Sequence, residues 1–140
     1  MLGDLRTHLL ADENIAAALA TYNGAPALFT IDPIPEQCGH PAAVLVLIGG
    51  LDEFGTGEQQ GGVCNIDLRI YDDRLTSSAR IRTLAWKIWG RLTRQDFASS
   101  TYDIQIVTAS PPMAMSDPDG FPGLRLGLAV EYLVKGGITL

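Results

Sequence analysis

Cysteine, histidine and basic charge are all scarce in this 140-residue chain, and each shortage removes a class of function. Two cysteines, Cys38 and Cys64, are too few for a disulfide scaffold, so reduced thiols are expected. Two histidines, His8 and His40, form with the cysteines one close pair, Cys38 and His40, where structural zinc usually takes two such pairs. Ten Lys and Arg stand against sixteen Asp and Glu, and a formal charge of −6 argues against a wholly basic nucleic-acid binder. No apolar run approaches the ~18 residues of a membrane helix, the longest lying around Ala42–Ile48. The opening MLGDLRTHLLADEN sets charges among its apolar positions, unlike a signal peptide. Serine-nucleophile elbows, phosphate-binding loops and dinucleotide fingerprints are missing as well. What remains is 46% hydrophobic and 19% charged, enough apolar material for one core and too little charge for a disordered chain. The expectation is a single α+β domain spanning 1–140.

Leu2, Leu5, Leu9 and Leu10 recur at helical spacing, and Ile15–Ala20 continues as an alanine-rich helical stretch. Leu5 and Leu9 are the expected core contacts. Asn23-Gly24 and Pro26 stop this helix pair, and Ala27–Ile31 reads as a short strand. Asp32-Pro33-Ile34-Pro35 holds the chain extended, since proline removes backbone donors and restricts the residue before it. Ala42–Ile48 is apolar throughout, the pattern of a strand buried on both faces.

LDEFGTGEQQGG over 51–62 reads as a flexible hairpin loop or arm. Val63–Tyr71 alternates, with Cys64, Ile66, Leu68 and Ile70 facing one way and Asn65, Asp67 and Arg69 the other. Asp72-Asp73 is placed to cap the following helix, because carboxylates accept its orphan N–H groups.

That helix, Arg74–Gln95, is the longest element. At roughly 100° per residue, Ile81, Leu84, Ala85, Ile88 and Leu92 form a stripe for the sheet. Arg80, Lys87, Arg91 and Arg94 share a neighbouring stripe, and Trp86 and Trp89 occupy a third sector with Arg82 between them. Tyr102, Ile104 and Ile106 alternate with Asp103, Gln105 and Val107 in another strand. Residues 109–123 read as an irregular loop, and Leu124 to Tyr132 as the clearest strand of the chain. The main strands are therefore 42–48, 63–71, 102–108 and 124–133, in a mixed or antiparallel sheet with the long and N-terminal helices packed on it.

Groups able to do chemistry are sparse. His8 lies beside leucines on a helix and reads as a partly solvated surface residue. Cys38-Gly39-His40 places a thiol near an imidazole, yet no second Cys/His pair completes a metal site. Cys64 falls on the inward strand face, where a small thiol packs as a hydrophobe. Asp52/Glu53, Asp72/Asp73 and Asp117/Asp119 sit in polar loops or at a helix start, where solvation or capping is the simpler account. Asp117-Pro118-Asp119-Gly120 is turn chemistry without the later glutamate of a calcium loop. No catalytic, metal or cofactor-binding residue is expected. The basic stripe reads as the solvated or subunit-facing side of a helix in preference to a phosphate footprint. Trp86 and Trp89 read either as packed beneath the N-terminal helix or as interface anchors, a role in which tryptophan is over-represented. Two loops of more than ~12 residues point to contact with other subunits.

In order, the chain runs LRTHLLADENIAAALA, DPIPEQCGHPAAVLVLIGG, a glycine-rich arm, CNIDLRIYDD, SSARIRTLAWKIWGRL, and DPDGFPG before GLRLGLAVEYLVKG. This layout, over nearly all of the chain, resembles the tail terminators (tail-completion proteins) of siphophage-type particles and gene transfer agents. The resemblance implies a mixed sheet with flanking helices and a non-enzymatic virion protein at the head–tail junction, assembled in the host cytoplasm. It implies a homohexameric ring on the last ring of tail-tube protein, which stops tube polymerisation and offers a docking surface to the head connector. Its partners would be copies of itself, tail-tube protein and connector, with DNA only as cargo through the lumen and no membrane. Carried onto this sequence, Arg82, Trp86 and Trp89 fall near subunit contacts. Asp52, Glu53, Phe54, Met113, Met115 and Phe121 fall where the arm and loop reach tube or connector. The net negative charge suits a lumen that passes DNA without gripping it. Competing readings are another ring of the head–tail joint (a stopper or adaptor), a DNA-binding module using the 74–94 stripe, and a small enzyme using Cys38 and His40.

Overall fold

The computed structural model describes residues 1–31, 34–35, 37–48, 52–56, 59–72, 79–94, 97–115 and 123–135, with the backbone alone for 52–56 and 59–60. In chain order the elements are α1 (Leu2–Leu10), α2 (Glu13–Ala18), β1 (Thr21–Tyr22), β2 (Ala25–Pro26), β3 (Leu28–Phe29), β4 (Ala42–Leu47), β5 (Asp52–Thr56), β6 (Gln59–Tyr71), α3 (Ala79–Arg94), β7 (Tyr102–Ala109), β8 (Met113–Met115) and β9 (Gly123–Val134). The main sheet runs β3-β4-β6-β9-β7, with β5 beside β6 and β8 beside β9. Among the described residues only β3–β4 is parallel; every other pair is antiparallel. The architecture is α+β with a mixed sheet, as the sequence order implied.

Alternation decides which face of the sheet is inward. Cys64, Ile66, Leu68 and Ile70 on β6 and Leu124, Leu126, Leu128, Val130 and Tyr132 on β9 are all buried. They share one core with Leu5 and Leu9 of α1, Ile15 of α2, and the Ile81, Leu84, Ala85, Ile88 and Leu92 stripe of α3. All three helices therefore contribute to the core on this face of the sheet. Residues 73–78 and 95–96, and with them the ends expected for the long helix, lie outside the described residues. Asp72 is fully buried, and its carboxylate accepts from the Arg80 Nε (3.0 Å) and from a second guanidinium nitrogen of Arg80.

Four local structures depart from the sequence reading or sharpen it. Asn23 and Gly24 both adopt positive φ (49° and 82°) and close a tight hairpin between β1 and β2. These are the residue types that a two-residue hairpin turn of this hand requires. What reads as a helix stop is thus also a turn. In 51–62, read as a flexible hairpin loop or arm, the hairpin is present and its two sides are strands, Asp52–Thr56 pairing with Gln59–Val63.

The 109–123 segment contains a strand. Met113–Met115 pairs with Gly123–Arg125, carrying the β7 edge onward after Pro111-Pro112. Two prolines, which lack N–H donors, are tolerated there because this is a sheet edge. Ser110 bridges the irregularity, donating its N–H to the Gly127 carbonyl and accepting the Gly127 N–H on Oγ (both 2.8 Å).

The last departure is in β7. A register shift between Ile104 and Ile106 leaves Gln105 unpaired in the ladder. The extra residue reverses the alternation. Ile106 consequently turns outward and is 53% exposed, while Val107 packs against the core, opposite to the strict alternation expected of them.

Leu126 is central to β9 and completely buried. Leu126→Ala should lower unfolding free energy in urea by about 3 kcal/mol. Leu126→Asp should abolish the cooperative transition, because an unpaired carboxylate cannot be accommodated there.

Candidate functional site

The described residues contain no group of three His, Cys, Asp or Glu placed to hold a metal ion. The thiols are poor nucleophiles by environment. Cys38 is 6% exposed and donates to the Gly39 carbonyl (3.2 Å), and Cys64 lies in the main core. Burial pushes both thiols upward, away from the thiolate that catalysis requires. No helix among the described residues is long and apolar enough to cross a membrane. The features left to consider are surfaces.

Trp86 and Trp89 meet edge-on, with ring centroids 5.5 Å apart, yet the structure gives them different positions. Trp89 is half-buried against the core, and its Nε1–H donates to the Ala109 carbonyl at the end of β7 (3.2 Å). Trp86 is 48% exposed. Trp89 fastens α3 to β7, and Trp86 packs edge-on against it with about half of its surface in solvent. Arg82 is exposed on the same side of α3.

The basic stripe also divides. Arg80 is engaged by Asp72, and Arg91 donates from Nε to the His8 carbonyl (3.2 Å), tying α3 to α1. Lys87, Arg91 and Arg94 line a groove of about 260 Å³ with Asp12, Asn14 and Trp86. A carboxylate in the groove offsets part of its positive charge, which weakens the case for a phosphate track.

The remaining expected contact residues fall at two ends of the sheet. Asp52, Glu53 and Phe54 lie on β5, opposite Val63, Gly62 and Gly61, which pair in turn with Glu131, Tyr132 and Leu133 of β9. Met113 and Met115 pair with Arg125 and Gly123 at the other end of β9. Met113 is 49% exposed. From Leu133 to Arg125 is roughly 27 Å by the rise of an antiparallel strand. Phe121 and the Asp117–Gly120 turn lie outside the described residues.

The sheet face turned away from the main core carries a charge cluster that the sequence reading did not single out. Asp67, only 2% exposed, accepts from Arg125 (2.9 Å) and from Arg69 (3.4 Å). Arg69 and Arg125 are direct cross-strand partners, so two like charges oppose one another and Asp67 between them relieves the repulsion. Gly127 stands opposite Asp67. A groove of about 340 Å³ runs here, lined by Asn65, Asp67, Thr108, Ser110, Arg125 and Gly127, and the Arg125 Nε is buried without an acceptor among the described residues. Alternating opposite charges at Asp67 and Arg69 were the visible signal. Their partner at Arg125 depends on strand register, which one strand's sequence does not contain.

No protein family and no curated protein matches the sequence. Among solved structures, the chain is similar to one from the virion of a native gene transfer agent (GTA) particle. The similarity has a TM-score of 0.69 at 18% identity and covers 97% of this chain and 95% of that one. At this identity the likeness establishes a shared fold over essentially the whole of both chains.

The different settings of the two tryptophans give a direct test. Trp89→Ala should cost about 2 kcal/mol in urea unfolding, from lost packing and the lost bond to Ala109. Trp86→Ala should stay within about 0.5 kcal/mol of the parent. Equal losses from both would show that Trp86 is as much a packing residue as Trp89.

Proposed function

We propose that this chain is a structural protein of a phage-like or gene transfer agent virion and acts as its tail terminator. In this reading it forms a homohexameric ring on the last ring of tail-tube protein, stops tube growth, and presents its far side to the head connector. DNA passes through the lumen as cargo, and the site of action is the head–tail junction.

The observation that carries the proposal is the fold shared, nearly end to end, with a chain of a gene transfer agent virion. The placement of the two loops adds support. A terminator needs two different ring faces, one for the tube and one for the connector, and the β5–β6 hairpin and the Met113–Met115 edge lie at opposite ends of one sheet. A ring built from heterologous contacts ends growth because it closes on itself and leaves no edge of its own kind. Arg82, Trp86 and Trp89 are assigned to the subunit side, and Asp52, Glu53, Phe54, Met113, Met115 and Phe121 to the tube or connector.

The test is tube polymerisation in the presence of this chain, read as a length distribution in electron micrographs. Added protein should shorten the tubes and cap one end. Deletion of residues 52–61 should leave a folded protein that no longer caps. Tubes of unchanged length, with binding to connector alone, would reassign the chain to a stopper or adaptor ring.

A further inference from the structure

An exposed tryptophan and an open groove lie back to back in this fold. Trp86 is 48% exposed on α3, with its ring centroid 5.5 Å from that of Trp89. Trp89 is bonded to the Ala109 carbonyl, and Ala109 pairs with Leu128. Both Ala109 and Leu128 turn toward the helices and the main core. The positions on either side of them, Thr108 and Ser110 along one chain segment and Gly127 and Ala129 along β9, line the groove of about 340 Å³ on the opposite face. Trp86 and the groove therefore lie on the two sides of one stretch of β7 and β9, at the same level along the strands.

The groove suits an aromatic side chain. On β9 the outward residues run Arg125, Gly127, Ala129, Glu131, which sets two small side chains between two long ones. Asp67 and Asn65 stand opposite Gly127 and Ala129, and Ile48 borders the groove on the β4 side. Its volume is at the small end of sites that enclose an organic ligand. Asn65 and Thr108 offer acceptors to an indole N–H, which takes a partner when buried. Arg125 borders the groove with its Nε buried and without an acceptor among the described residues. An aromatic face laid on that guanidinium gives it an electrostatic partner. Charge agrees with shape. Over Ala79–Arg94, α3 carries five basic residues and no acidic one, in a chain of net charge −6. Lys87 and Arg94, near Trp86, have no ion-pair partner among the described residues. Neither do Glu131 and Asp103, exposed on the groove's own face beyond Ala129.

We infer that Trp86 of one copy of this chain seats in the Gly127–Ala129 groove of the next. The inference rests on the ring reading and names the contact that joins its subunits. Two different patches make the contact, so it is heterologous and repeats from copy to copy. Both patches lie at one level along the strands, so the step between copies needs no rise and the series can close on itself. Tryptophan in a desolvated pocket carries a large share of the binding energy at many interfaces, so this one side chain should decide assembly.

The experiment is light scattering on two variants of the full chain, alone and mixed, at a concentration where the parent forms oligomers. Trp86→Ala removes the inserted ring and keeps the groove, whereas Ala129→Leu fills the groove and keeps the ring. Each alone should stay at the 15.0 kDa of one chain, with the circular dichroism of the parent. An equimolar mixture should form a species of two chains and nothing larger, because each such pair has one Trp86 and one open groove. Thr108→Phe fills the groove from β7 and replaces Ala129→Leu should that chain misfold. Either variant assembling like the parent, or a mixture that stays monomeric, would overturn the seating of Trp86 and leave the ring standing. A parent chain that is monomeric at every concentration would overturn the ring reading, and this inference with it.

Discussion

The antiparallel ladder between β6 and β9 is the constraint on which the rest of the structure depends. It runs in unbroken register from Gly61 opposite Leu133 to Tyr71 opposite Gly123. A slip of one residue would send Ile66, Leu68, Leu126 and Leu128 to the wrong face and expose Asp67 and Arg125 to the helices. Each outer element takes its position from this pair. β4 and the β5 hairpin follow the free side of β6, and β7 and β8 follow the free side of β9. The helices then close over the apolar face that the ladder presents. The Asp67, Arg69 and Arg125 cluster reinforces the same register from the other face, because Asp67 meets Arg125 only when Arg69 stands opposite it.

Much of this was legible in the sequence where burial on one side imposes a period. The α3 stripe Ile81, Leu84, Ala85, Ile88 and Leu92 is buried residue for residue, as are the inward positions of β6 and β9. Leu5 and Leu9 are likewise core contacts. The reading failed where an irregular backbone breaks the period. The bulge at Gln105 inverts Ile106 and Val107, and nothing in YDIQIVTA marks the position of an extra residue. Met113–Met115 forms a strand because β9 extends far enough to pair with it, a fact about the partner and not about PPMAM. Asp72 was read as a helix cap, whereas its carboxylate pairs with Arg80, eight positions further on.

The candidate surfaces were legible in part. Periodicity correctly put Trp86 off the core stripe, but it treated Trp89 alike, because a helical wheel does not show that β7 ends beside it with the Ala109 carbonyl in reach of its indole N–H. The cluster around Arg125 was invisible for the reason that applies to cross-strand contacts generally: register joins residues 58 positions apart. The ends of the sheet carry the β5–β6 hairpin and the Met113–Met115 strand, and one face is closed by helices.

Self-association is the central claim, and native mass by light scattering across a concentration series tests it most directly. The account predicts a mass that rises with concentration from the 15.0 kDa of one chain and levels off at six times that value. A mass fixed at one chain throughout the series, or one that climbs without a ceiling, would contradict it.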